Sequence, residues 1–224
     1  MLVSTRVHAV AFDVLETLLD LNPLGARLET VGQPARLLQP WFLRFQRDAL
    51  ALALSGDYGT FESVARQALR TETQHTVTDD DIDYMLEGFG QLPAHPDAEP
   101  AVRLLSEAGL RVGCVTVGSA TNTARFLERA GLARYVDEVV TAAQAGIWKP
   151  APSFYRMAAY RLGISPENLA LVAVHAWDCH GAKRAGCLAG WCGRLEGHYG
   201  DVFTEPDVSG SDLVRVAEDL LRLS

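Results

Sequence analysis

Hydrophobic and polar positions change their period twice along the chain. Residues 7–12 read VHAVAF, a short apolar run rich in β-branched residues that stops at Asp13. Such a run predicts a buried parallel strand. Residues 16–21 then run into Asn22-Pro23, a turn signal. From Leu24 to Leu92 the apolar positions recur at helical spacing and predict helices over 24–31, 37–54, 60–73 and 79–89, with no good strand among them. Asp79, Asp80 and Asp81 crowd the start of the last one, where the helix dipole favours negative charge. This stretch reads as a helical insert.

Beyond Pro93–Pro96 the chain alternates. Helices are expected over 98–108, 121–130, 152–162, 178–185 and 211–223, and strands over 110–117, 136–141, 169–174 and 188–191. Gly109 and Gly131 stop two of the helices, a proline opens the third, and Ser211 is the expected N-cap of the last. Alternation of this kind predicts an α/β fold: a Rossmann-like, doubly wound parallel sheet with helices on both faces. Residues 1–20 and 93–224 form its core domain, and residues 21–92 an inserted helical cap domain. Ligands of such sheets bind beyond the carboxyl ends of the strands. That rule selects Asp13, Thr116 to Ser119, Lys149 and the segment from His175 to Asp178.

Composition narrows the class. The 224 residues are 48% hydrophobic and 21% charged, with a formal net charge of −8, an ordinary globular balance. The negative charge argues against nucleic acid as a partner. No stretch approaches the ~18 apolar residues of a membrane span, and residues 1–13 show no targeting pattern; a cytoplasmic location is the expectation. Four cysteines without a CxxC pair predict reduced thiols, with Cys114 packing as a small hydrophobe in a strand.

Each selected residue has a bland and a chemical reading. Asp13 is a turn cap or a nucleophile, with Thr17 four residues on to orient it. Thr116, Val117, Gly118 and Ser119 are an ordinary strand-to-helix turn or an anion site built of hydroxyls and N–H groups. Lys149 is a surface lysine or the cation that keeps Asp13 ionised, and Tyr155 is within reach of the same place. Asp178 caps its helix or holds Lys149. His175 is a satisfied loop histidine or a base. Trp177 packs or touches substrate.

The order of these residues, together with FDVLETL at 12–18, KPAPSFY at 149–155 and HAWDCHGAK at 175–183, resembles the haloacid dehalogenase superfamily, closest to its type II 2-haloacid dehalogenase branch. The resemblance spans nearly the whole chain. It implies hydrolysis of a carbon–halogen bond in a small anionic 2-haloacid, without cofactor or metal, by a homodimer. Asp13 would form an aspartyl ester that water hydrolyses. Thr116 would bind the substrate carboxylate or the nucleophile, and Lys149, backed by Tyr155 and Asp178, would hold Asp13 ionised. Leu15, Phe61 and Trp177 would wall the substrate.

Two other readings stand beside this one. Phosphatases of the superfamily resemble Asp-x-Asp-x-Thr and hold Mg²⁺ with further carboxylates, but Leu15 and Val174 stand at two of those places here. Both residues argue against metal-dependent phosphoryl transfer, and a phosphatase-like hydrolase needing Mg²⁺ stands as the alternative enzyme. Relative to the dehalogenases, Glu16 replaces a glycine, Leu15 a tyrosine, Val117 an asparagine, Ala173 a serine and His175 an asparagine. A cap arginine for the departing halide is missing near Gln33, with Arg27 and Arg36 as substitutes. Glu16 adds negative charge near Asp13 unless it points away or pairs. These losses also suit a degenerate scaffold kept for binding. His175 is a compensating candidate, either as an imidazolium for the leaving group or as a neutral base for water.

Overall fold

Six strands form one sheet in a computed structural model that describes residues 6–224. They are Ala9–Asp13 (β1), Arg111–Thr116 (β2), Glu138–Thr141 (β3), Leu169–Ala173 (β4), Leu188–Cys192 (β5) and Val208–Gly210 (β6). Their order is β3-β2-β1-β4-β5-β6, and every pairing is parallel. All five residues of β1 and of β4 are buried. That is why these segments read as unbroken apolar runs and not as alternating ones.

Helices Leu24–Thr30 (α1), Leu38–Ser55 (α2), Phe61–Glu72 (α3) and Asp79–Glu87 (α4) lie between β1 and Ala98–Glu107 (α5). In α3 the buried residues Phe61, Val64, Ala65, Ala68 and Leu69 follow the spacing of one helical face. Thr78 and Asp81 close α4 with a reciprocal capping box. The remaining helices are Ala120–Arg129 (α6), Ala142–Ala145 (α7), Pro152–Arg161 (α8), Ala176–Ala185 (α9) and Leu213–Leu221 (α10).

The structure departs from the sequence expectations at four places. Strand β6 was not foreseen, because three residues of an edge strand carry almost no periodic signal. The single turn α7 was missed as well; the Thr141 and Gln144 capping box stabilises it. Asp212, not Ser211, caps α10 and accepts from the Arg215 N–H at 2.8 Å. Helix α9 starts at Ala176, so Asp178 lies in its first turn and its carboxylate is free for other work. The part of the N-terminal targeting reading that falls on residues 1–5 lies outside the described residues.

All four cysteines are unpaired and buried, with Cys114 inside β2 as expected. Among the described residues, no helix is long and apolar enough to cross a membrane.

Candidate active site

Parallel strands deliver their last residues to one edge of the sheet. Asp13 ends β1 and Thr116 ends β2, while His175 follows β4 and opens α9. Lys149 comes from the segment between α7 and α8, next to a cis Lys149–Pro150 peptide.

These groups form one buried network. Lys149 Nζ donates to Asp13 Oδ1 at 2.8 Å and to Asp178 Oδ2 at 2.8 Å. The Tyr155 hydroxyl donates to Asp178 Oδ1. Thr17 Oγ1 accepts from the Val174 N–H at 3.1 Å and donates to Asp13 Oδ2 at 2.8 Å. The backbone thus aims the threonine hydroxyl, and the hydroxyl aims the carboxylate. Asp13, Lys149 and Asp178 are all under 5% exposed. Such charges persist only because each is paired.

Burial by itself would raise the Asp13 carboxyl. The Lys149 ammonium, followed by His175, outweighs it and holds the carboxyl at about 2. Burial would lower Lys149, but Asp13 and Asp178 raise it above its ordinary value. Burial pushes Asp178 up against the pull of Lys149, and pushes the Tyr155 hydroxyl, facing the Asp178 charge, well up. At neutral pH the nucleophile candidate is an anion and its neighbour a cation.

Glu16 pairs instead of pointing away. His175 Nε2 sits 2.8 Å from Glu16 Oε2, and Nδ1 sits 3.6 Å from Asp13 Oδ2. Burial would lower the imidazole; Asp13 and Glu16 together override it and raise it to about 10. The resting ring is therefore an imidazolium. Glu16 itself adopts a left-handed backbone, φ 66°, a conformation that suits glycine and costs other residues of order 1 kcal/mol. Arg194 fixes this turn by donating to the Thr17 carbonyl at 2.6 Å while pairing with Asp97 at 2.7 Å.

A small cavity opens on Asp13. Its walls include Leu15, Val117, Lys149, His175 and Trp177 from the sequence expectations, and Phe42, Phe45, Gln46 and Trp148, which those expectations missed. The Trp148 Nε1–H is buried without a hydrogen-bond partner. The free volume is about 20 Å³, on the scale of a single water. A far larger groove of about 1090 Å³ lies along α3, α4 and α6. It carries Glu62, Arg66, Arg125 and Glu128 and touches none of the Asp13 network. Chemistry, not size, singles out the small cavity.

Other expected site residues stand elsewhere. Gly118, Ser119 and Phe61 line a neighbouring pocket with Leu15, separate from Asp13. Thr116 is fully buried and its hydroxyl accepts from the Gly118 N–H at 2.9 Å. Ser119 caps α6. Tyr155 sits behind Lys149 and not on the cavity wall. Neither proposed substitute for the cap arginine reaches the cavity: Arg27 lies over the Tyr84 ring and Arg36 is exposed. Gln33 bonds to Thr76 at 3.0 Å.

The parallel sheet order, with buried charges gathered at its carboxyl edge, places the chain among hydrolases with an α/β fold. The chain belongs to the haloacid dehalogenase-like hydrolases, whose family model matches residues 7–186. It is 25% identical over 206 residues to an (S)-2-haloacid dehalogenase of Pseudomonas putida, covering 90% of this chain and 91% of that one. A crystal structure of a dehalogenase with an intermediate complex superposes with a TM-score of 0.85 at 26% identity, over 97% of this chain and 96% of the other. A glyceraldehyde 3-phosphate phosphatase of Methanopyrus kandleri is 37% identical over 101 residues, 45% of this chain and 43% of its own length.

Proposed function

We propose that the protein hydrolyses the carbon–halogen bond of a small 2-haloacid through an ester on Asp13. The observation that carries this reading is a buried carboxylate, paired with the Lys149 ammonium and aimed by the Thr17 hydroxyl, facing a small, mostly apolar cavity. An anion placed so is a nucleophile ready for in-line displacement. Relatives that match this chain over most of its length are named as 2-haloacid dehalogenases.

In the first step an Asp13 oxygen attacks the carbon bearing the halogen, and the halide leaves with the bonding pair. Thr17 and Lys149 fix the carboxylate for that approach. With no arginine on the cavity wall, the unpartnered Trp148 Nε1–H and the Gln46 amide supply polar hydrogens for the departing halide. In the second step water attacks the Asp13 carbonyl carbon and releases the 2-hydroxy acid. Attack at carbon happens once, so its configuration inverts. The helical insert acts as a cap that keeps bulk water away. A cavity this small admits substrate only after α2 or the Gln46 side chain shifts. The reading includes a cytoplasmic homodimer, which light scattering checks.

The phosphatase alternative needs Mg²⁺, and the residues present do not fit that ion. Leu15 and Val174 supply no carboxylate, and both Asp178 oxygens are committed to Lys149 and Tyr155. Among the described residues no cluster of His, Cys, Asp and Glu suits a metal. The degenerate-scaffold alternative is disfavoured by the complete Asp13–Lys149–Asp178–Tyr155 network.

Halide release from chloro-, bromo- and fluoroacetate and the 2-halopropionates tests the reading. Wild-type protein releases halide without added metal, and Asp13→Asn does not. Metal-stimulated phosphate release from phosphate esters, with no halide release, would replace it with the alternative.

A further inference from the structure

We propose that Glu16 and His175 form a carboxylate–imidazole pair that drives the second half-reaction: His175 Nδ1 takes the proton from the water that hydrolyses the Asp13 ester, while Glu16 holds the ring. The inference rests on the ester reading above and deepens it.

Three observations point to it. First, the Nε2 side of the ring is fixed by Glu16 at 2.8 Å, which leaves Nδ1 as the working atom. Nδ1 is buried, has no hydrogen-bond partner, and lies 3.6 Å from Asp13 Oδ2. That distance is too long for a direct bond. Both residues line the cavity that opens on Asp13, whose volume of about 20 Å³ is on the scale of one water. Second, the other titratable groups are committed. Asp178 is fully buried and both its oxygens accept hydrogen bonds, and Lys149 is a cation between two carboxylates. Third, Glu16 keeps a left-handed backbone that disfavours any side chain, and its carboxylate is the group that contacts His175 Nε2.

The charges of the cycle balance. In the resting site two carboxylates, Asp13 and Glu16, retain the imidazolium proton. Ester formation converts Asp13 to a neutral group, so the carboxylate facing Nδ1 is lost and His175 gives its proton to solvent. This is the one net proton of the reaction. Neutral Nδ1 then accepts a proton as the water oxygen bonds to the Asp13 carbonyl carbon. On collapse the carbon–oxygen bond to the product breaks, and His175 returns that proton to the alkoxide. The Asp13 carboxyl finally transfers its own proton to Nδ1, which restores the starting pair.

Chloroacetate tests the pair by halide release and intact-protein mass on the same samples. Wild-type protein turns over steadily and carries no adduct. His175→Ala is expected to release one equivalent of halide in a burst and to gain the mass of a carboxymethyl group, with hydrolysis slowed about 10²-fold or more. Glu16→Gln accumulates the same adduct to a smaller extent, and it decides the question if His175→Ala does not fold. A purely structural role would not produce a trapped ester. Wild-type rates without adduct in both variants, or halide release lost without adduct in folded variants, overturn the pair and leave the ester reading standing. Wild-type protein that releases no halide overturns the ester reading itself, and the pair with it.

Discussion

The Lys149 ammonium lies 2.8 Å from the Asp13 carboxylate although 136 residues separate the two in the chain. The same ammonium touches Asp178 at 2.8 Å, so one cation bridges two buried carboxylates. Lys149→Met therefore removes the cation both carboxylates share and leaves Asp178 with no charged partner. Urea unfolding should show a loss of ~3–5 kcal/mol, typical of breaking a buried pair. With its main counter-charge gone, Asp13 is also pushed toward its neutral form, and halide release should fall sharply. Lys149→Arg should not restore it, because a planar fork does not replace a point charge held between two carboxylates.

Thr17→Val separates aim from charge. The hydroxyl accepts from the Val174 N–H and donates to Asp13. Its loss leaves a buried N–H unpaired, a cost of ~1–3 kcal/mol, and frees Asp13 to rotate. The expected kinetic signature is a drop in kcat larger than the change in KM, measured by steady-state halide release.

Stability should have two pH limbs. Asp13 is held at about 2 in the folded protein against 3.8 ordinarily, so its contribution is present above pH ~4 and is lost as pH falls toward 2. His175 is raised to about 10 from 6.5, so its contribution is complete below pH ~6 and is lost as pH rises through 10. The charged groups facing His175 are Asp13, Glu16 and, across Asp13, Lys149. Thermal midpoints measured from pH 5 to 11 should fall on the alkaline side in the wild type, and less steeply in His175→Gln.

Gly181 packs α9 against the start of α8. A Cβ there would sit 2.5 Å from Pro150 Cβ and 2.7 Å from the Tyr155 hydroxyl. Gly181→Ala should therefore destabilise the fold by ~1–3 kcal/mol as overpacking does. It should also lower activity, because Tyr155 must leave Asp178. Thermal unfolding alongside halide release checks both effects.

The parts of this site that are legible in the sequence share one property: they lie on the segments that follow the carboxyl ends of the strands. VHAVAF marked β1, and the residue where its apolar run stops is the one facing the cavity. Lys149 and Asp178 followed from the same rule and from the family resemblance. The cavity walls did not. Phe42, Phe45 and Gln46 sit in a helix whose periodicity says which face is buried but not what that face meets. Trp148 precedes Lys149 in the chain, and nothing local reveals that its N–H goes unpaired. Glu16 and His175 were each noted as departures from a family pattern. Their pairing across 159 residues is visible only once β1 and β4 lie side by side. Phe61, expected to wall the substrate, lies on the helix its periodicity predicts but lines the adjoining pocket, since a helical face points to a layer and not to one cavity.

The most direct measurement is the fate of solvent oxygen in a single turnover, with protein in excess over 2-haloacid in heavy-oxygen water. Peptide mass analysis should find the label in the Asp13 side chain, and the 2-hydroxy acid should carry none. Label in the product with Asp13 unlabelled would mean that water attacks the substrate directly, and it would contradict the ester.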